Sequence, residues 1–167
     1  MRHVSILSIL IFSFIAPCFS QGKKELANDD NVKITYTVTK KEVKLFIKTN
    51  GSSPRIEVDV NKNGFIDNML DRSYALIGGQ NMKLCTQYLI DETTSTTCGK
   101  SPSKAKLSGK EFDYVFTIPQ NELTTPINPK IIAVSISIVN QSNGKWYRSF
   151  YPYGTRTFEN VYEINVQ

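Results

Sequence analysis

Apolar and polar residues alternate with period two along much of this chain, as expected of strands that bury one face. Val32–Thr39 and Val43–Lys48 alternate in this way on either side of Lys40-Lys41-Glu42, which predicts an antiparallel hairpin. A dense turn signal at Asn50–Pro54 precedes a third strand at Ile56–Val60. Asp71–Gln80 is irregular, with a bend at Gly78-Gly79, and strands follow at Asn81–Ile90, Lys104–Ser108 and Phe112–Ile118, the last stopped by Pro119. Pro119–Leu123 predicts a single helical turn. Ile131–Val139 is the clearest core strand, with Ile132, Val134, Ile136 and Ile138 on one face against Ser135 and Ser137 on the other. Asn143-Gly144 is the strongest short hairpin signal and joins that strand to Lys145–Phe150, while Val161–Val166 forms the last strand. No stretch keeps a 3.6-residue apolar period long enough for a proper helix. About eight or nine short strands separated by turns predict an all-β fold, a single-domain antiparallel β-sandwich with little helix.

The start of the chain follows a different pattern. Arg2 and His3 precede an almost unbroken apolar stretch, Ile6–Ala16, and Cys18-Phe19-Ser20 supplies small residues at a cleavage site. Residues 1–20 therefore read as a signal peptide, 21–31 as a flexible polar leader and 32–167 as the folded domain, in a protein that is secreted to the periplasm or outside the cell. Lipidation at Cys18 is the alternative, and Pro17 disfavours it. No later segment approaches the roughly 18 apolar residues of a membrane span, so no transmembrane segment is expected.

Composition narrows the chemistry. The 167 residues carry 20 Lys and Arg against 15 Asp and Glu, and the basic residues are scattered, which disfavours a nucleic-acid partner. The single histidine is His3, inside the leader, so a Ser-His-Asp or Cys-His arrangement cannot form after cleavage. Asp91, Glu92, Glu111, Asp113 and Glu122 are carboxylates without a spacing that pairs any two, so no catalytic residue is expected. Cys85 and Cys98 are the only cysteines after residue 20, and in an oxidising compartment they are expected to form a disulfide stabilising by about 3 kcal/mol. A metal-binding or nucleophilic thiol is the alternative.

The most specific motif is Asp59-Val60-Asn61-Lys62-Asn63-Gly64-Phe65-Ile66-Asp67. Calcium takes six to eight oxygens, and alternate side chains around a glycine bend supply them. Asp59, Asn61 and Asn63 fit that geometry, Phe65 would offer its backbone carbonyl, and Asp67 would ligate directly or through water. The loop resembles the EF-hand consensus up to its ninth position. Leu70 stands at the twelfth, where that consensus has a bidentate Glu, and Asp71 follows one residue later as a further candidate ligand. A polar Asn-Gly turn without metal is the alternative.

Trp146, Tyr147, Phe150, Tyr151 and Tyr153 form the densest aromatic run. Alternation points Trp146 and Arg148 to one face and Tyr147 and Ser149 to the other. Sugar rings stack on aromatic faces while amides take their hydroxyls, which makes Trp146, Tyr147 and Tyr151 candidate ligand-binding residues and Asn140, Gln141 and Glu159 candidate partners. Core packing is the alternative.

Leu45-Phe46-Ile47, the Glu57–Gly64 run leading to Asp67, Tyr114–Pro119 followed by Glu122-Leu123, and an Ile-rich strand before a Gly-containing hairpin together resemble the DOMON-like and family 9 carbohydrate-binding-module superfamily. The resemblance implies a β-sandwich with structural metal ions in a secreted protein that binds sugar or haem. Two features depart from it. Trp146 is the only tryptophan, so a two-tryptophan clamp is missing, and no histidine is left to ligate haem beside Met69 or Met82. The expectation is a secreted, calcium-stabilised, non-catalytic module that binds a glycan or cell-surface protein. A purely structural or protein-interaction domain is the rival.

Overall fold

The computed structural model describes residues 22–65, 71–77, 83–90, 93–98, 104–107, 113–124, 127–155 and 157–166. The first sheet orders its strands β1 (Lys24–Asn28), β2 (Val32–Val38), β3 (Glu42–Thr49), β9 (Tyr114–Pro119) and β8 (Lys104–Leu107). The second runs β11 (Lys145–Tyr151), β10 (Ile131–Ser142), β4 (Ser52–Asp59), β5 (Arg72–Ile77), β6 (Lys83–Ile90) and β7 (Thr93–Cys98), with β12 (Tyr162–Asn165) also paired to β10. All pairs are antiparallel. One helical turn, α1 (Gln120–Thr124), follows β9 and buries Leu123.

Alternation explains how the sheets meet. Ile34, Leu45, Ile47, Phe116 and Ile118 from the first sheet share one core cluster with Ile56, Val58, Tyr74, Val134, Ile136 and Ile138 from the second. Each such side chain contributes about 1.5–3 kcal/mol of burial. The fold is the predicted all-β sandwich. No helix among the described residues is long and apolar enough to cross a membrane.

The nine expected strands are present, and three more add to them, two of these in segments expected to be a loose leader or irregular. Lys24–Asn28 is an edge strand rather than a loose leader, because its Leu26 and Ala27 pack on the core while its polar residues stay outside. Arg72–Ile77 is a strand between β4 and β6, anchored by Tyr74, which is fully buried. The threonine-rich stretch before Cys98 is the edge strand β7, as β-branched threonines favour. The turn signal at Ser52–Pro54 becomes a bulge within β4. Ser53 has φ 48, the register with β10 shifts there, and Pro54 precedes the ladder to β5, so its missing N–H costs no bond.

The second face of β10 is also buried, with Ala133, Ser135 and Ser137 all shielded from solvent. Charged neighbours and the segment after β11 shield it: Arg148 donates to Ser137 Oγ at 2.9 Å, Thr157 donates to Glu57 Oε2 at 2.6 Å, and Arg55 lies 3.7 Å from Glu57. Burial, with Arg55 adding repulsion, pulls the Arg148 pKa below its usual value.

Candidate functional site

Strand β4 delivers Asp59 to the edge of the core, where it is only 1 % exposed. Its carboxylate organises the next five residues: Oδ1 accepts from the Lys62 and Asn63 N–H groups, and Oδ2 accepts from Gly64 N–H at 2.8 Å. Asn61 Oδ1 accepts from Asn63 N–H at 3.2 Å, and Asn63 Oδ1 accepts from Phe65 N–H at 2.9 Å. Lys62 and Gly64 have φ of 60 and 83, the left-handed values such a tight bend requires. Asp71, 4 % exposed, returns beside the loop and accepts from Val60 N–H at 2.8 Å. Lys62 Nζ lies 2.5 Å from Glu163 Oε1, which ties the loop to β12.

Asp59, Asn61, Asn63 and Asp71 thus come together around one bend. The Phe65 side chain points to solvent, which is compatible with the backbone-carbonyl role expected of it. Asp67 lies outside the described residues. The donor set is all oxygen, two carboxylates and two amides, and a carboxylate has about four lone-pair sites, so the N–H bonds do not exhaust it. Hard oxygen donors of this kind suit calcium in preference to zinc or copper. Among the described residues no group of three or more His, Cys, Asp or Glu side chains converges as a metal site, so the amides and Asp67 would have to complete the shell.

Strands β10 and β11 pair from Ile136↔Tyr151 to Ser142↔Lys145. Asn143 and Gly144, with φ of 50 and 74, form the turn, both left-handed as a primed hairpin turn demands. The hairpin outruns the core, whose last β10 member is Ile138. Trp146 opposite Gln141 is 65 % exposed, and Tyr147 opposite Asn140 is 51 % exposed. Tyr151 does not join them. It shares the parity of Tyr147 but sits opposite Ile136, 4 % exposed inside the core, and burial pushes its hydroxyl up to about 12. Trp146 and Tyr147 face opposite sides of β11 and do not form one platform. Asn140 donates to Ser149 Oγ at 2.9 Å, and Glu159 Oε2 accepts from the Thr155 hydroxyl at 2.9 Å.

Tyr153, also exposed, turns the other way. Its ring lies 5.3 Å from that of Tyr151, and its hydroxyl donates to Asp29 Oδ2. That bond lowers the Asp29 pKa and raises that of Tyr153. Asp29 in turn fixes the β1–β2 connection, its Oδ1 accepting from Asn31 N–H at 2.8 Å and Val32 N–H at 2.9 Å. Beside it opens a cleft of about 400 Å³ lined by residues of this connection together with Lys33, Lys48, Asn50 and Asp113. The only sequence signal for it is the run Asn28-Asp29-Asp30-Asn31, which composition alone assigns to a polar leader.

Cys85 and Cys98 are direct cross-strand partners in the β6–β7 ladder. Their side chains, and residues 1–20 with Cys18, lie outside what the structure describes. Comparison with protein-family models, with curated proteins and with solved structures returned no match.

Proposed function

We propose that this protein is a secreted, non-catalytic β-sandwich module that binds a glycan or another cell-surface ligand, held rigid by calcium in the Asp59 loop and by a Cys85–Cys98 disulfide. The observation that carries the binding role is the pair of exposed aromatics at the hairpin tip, Trp146 and Tyr147, each standing across from a side-chain amide. An aromatic face for the apolar side of a sugar and an amide for its hydroxyls are the two elements a sugar subsite needs. Calcium is supported by the clustered oxygens of Asp59, Asn61, Asn63 and Asp71, with two buried carboxylates whose charge a cation would offset. The bridge is supported by the cross-strand register and by the apolar leader that directs the chain to an oxidising compartment. Described carboxylates engage in holding the fold: Glu122 accepts from the buried Tyr74 hydroxyl at 3.1 Å, and Asp113 accepts from Thr49 N–H at 2.9 Å. That use fits a binding module better than an enzyme.

A glycan-array assay on the purified protein, in calcium and in chelator, tests the reading. Specific binding that weakens on Trp146→Ala without loss of the folded state is expected. A folded protein that binds no glycan in either condition would favour the structural or protein-partner role instead.

A further inference from the structure

The cleft between the β1–β2 connection and the β2–β3 edge is built from parts that the aromatic tip does not use. Lys33 and Lys48 are direct cross-strand partners, so their side chains leave the same face of the sheet as neighbours. Like charges in that position repel, and among the described residues neither lysine has an ion pair. An anion between them would turn that repulsion into attraction. The rest of the lining limits which anion. Asp29, Asp30 and Asp113 set three carboxylates against two ammonium groups, a net formal charge of −1, which penalises a dianion such as a phosphate or sulfate ester more than a monoanion and leaves the lysine pair as the one place where an anion gains. Hydroxyl-binding groups are abundant. The side-chain amides of Asn28, Asn31 and Asn50 have no hydrogen-bond partner among the described residues, and neither has the Asp30 carboxylate.

The walls are held before any ligand arrives. Asp29 is fixed by two backbone N–H groups and the Tyr153 hydroxyl, Asn50 N–H donates to Asn31 O at 3.3 Å, and Asp113 is pinned to β3 through Thr49 N–H. A preformed site spends less of its interaction energy on ordering. A volume of about 400 Å³ is within the range of small-molecule sites.

We propose that this cleft binds a singly charged, carboxylated sugar residue of a glycan, its carboxylate between Lys33 and Lys48 and its hydroxyls on Asp30 and the asparagine amides. The proposal rests on the glycan-binding reading and names an acidic sugar class and a second subsite for it.

The test is a binding assay on the whole protein with matched probes, glucuronate-terminated and glucose-terminated oligosaccharides on one array. The wild type is expected to prefer the acidic probe by about tenfold or more, the effect of one charge-assisted contact. Lys33→Gln/Lys48→Gln should bring the acidic probe down to the level of the neutral one. Lys33→Arg/Lys48→Arg should keep part of the preference, which separates lost charge from a failure to fold. Lys40→Gln/Lys41→Gln, at the far end of the same hairpin, controls for nonspecific charge and should keep the full preference. Equal binding of both probes, or a preference that survives the double glutamine change, overturns the cleft proposal and leaves the glycan-binding module standing. Absence of binding to every glycan on the array overturns both.

Discussion

Two tight bends in this molecule are built on the same dipeptide and are used in opposite ways. Asn63-Gly64 closes a loop whose oxygens turn inward onto their own backbone, around a carboxylate buried by the core. Asn143-Gly144 closes a hairpin that runs past the core and carries Trp146 and Tyr147 into solvent. The glycine is left-handed in both, joined by Lys62 in the loop and by Asn143 in the hairpin. What differs is the residue four places earlier in the loop, Asp59, and the residues just after the turn in the hairpin. The first arrangement closes on itself beside the core, and the second leaves two aromatic rings exposed, which is the basis for proposing a cation at one and a ligand at the other.

The comparison breaks most clearly at Asp59. Asp59→Ala leaves the Lys62 and Gly64 N–H groups without their acceptor, removes one of the two acceptors of Asn63 N–H, and is expected to cost about 3 kcal/mol, a drop in melting temperature of roughly 6–12 °C, together with any calcium response. Thermal unfolding reads both effects.

Alkaline pH should act on the hairpin side. Burial raises Tyr151 and Tyr162 from 10.0 to about 12, with neighbouring tyrosines and Asp29 adding to the shift. Below pH 10 both hydroxyls keep their protons in the folded and unfolded chains alike. As pH rises from 10.0 to about 12, the unfolded chain releases protons that the folded one retains, so stability falls. Denaturant titrations at pH 9 and pH 11 should show that loss, and Tyr162→Phe should flatten it.

The two glycines should behave alike. A Cβ at Gly64 or Gly144 meets nothing within 4 Å, so alanine at either position pays only for left-handed backbone, about 1 kcal/mol. A much larger loss at Gly64 in calcium than in chelator would mark the loop as cation-bound. The smallest effect on stability is expected from Trp146→Ala, within about 0.5 kcal/mol, because the side chain is 65 % exposed. Its glycan binding should fall all the same, and a melting temperature that fell with it would place the ring in the packing.

The sheets were legible because alternation and the Asn143-Gly144 turn are local signals, and the structure carries them out at Val32–Thr49 and Ile131–Tyr151. Strands held by pairing more than by pattern were not. Lys24–Asn28 looks like a charged leader, and its strand character comes from the β2 edge beside it. The candidate ligands were partly legible. Asp59, Asn61 and Asn63 follow from spacing, whereas the return of Asp71 to the loop depends on β5 lying beside β4. Tyr151 belongs to the core because the hairpin leaves the sandwich only after Ile138, a boundary that aromatic spacing does not encode. The cleft at Lys33 and Lys48 joins residues from three separate segments, so no stretch of sequence announces it.

Thermal unfolding of the protein in saturating calcium and in excess chelator tests the inward-turned loop most directly. At calcium about 100 times its dissociation constant, linkage predicts about 2.7 kcal/mol of added stability and a melting temperature higher by roughly 5–10 °C. Coincident unfolding curves in the two conditions would contradict a cation in the Asp59 loop.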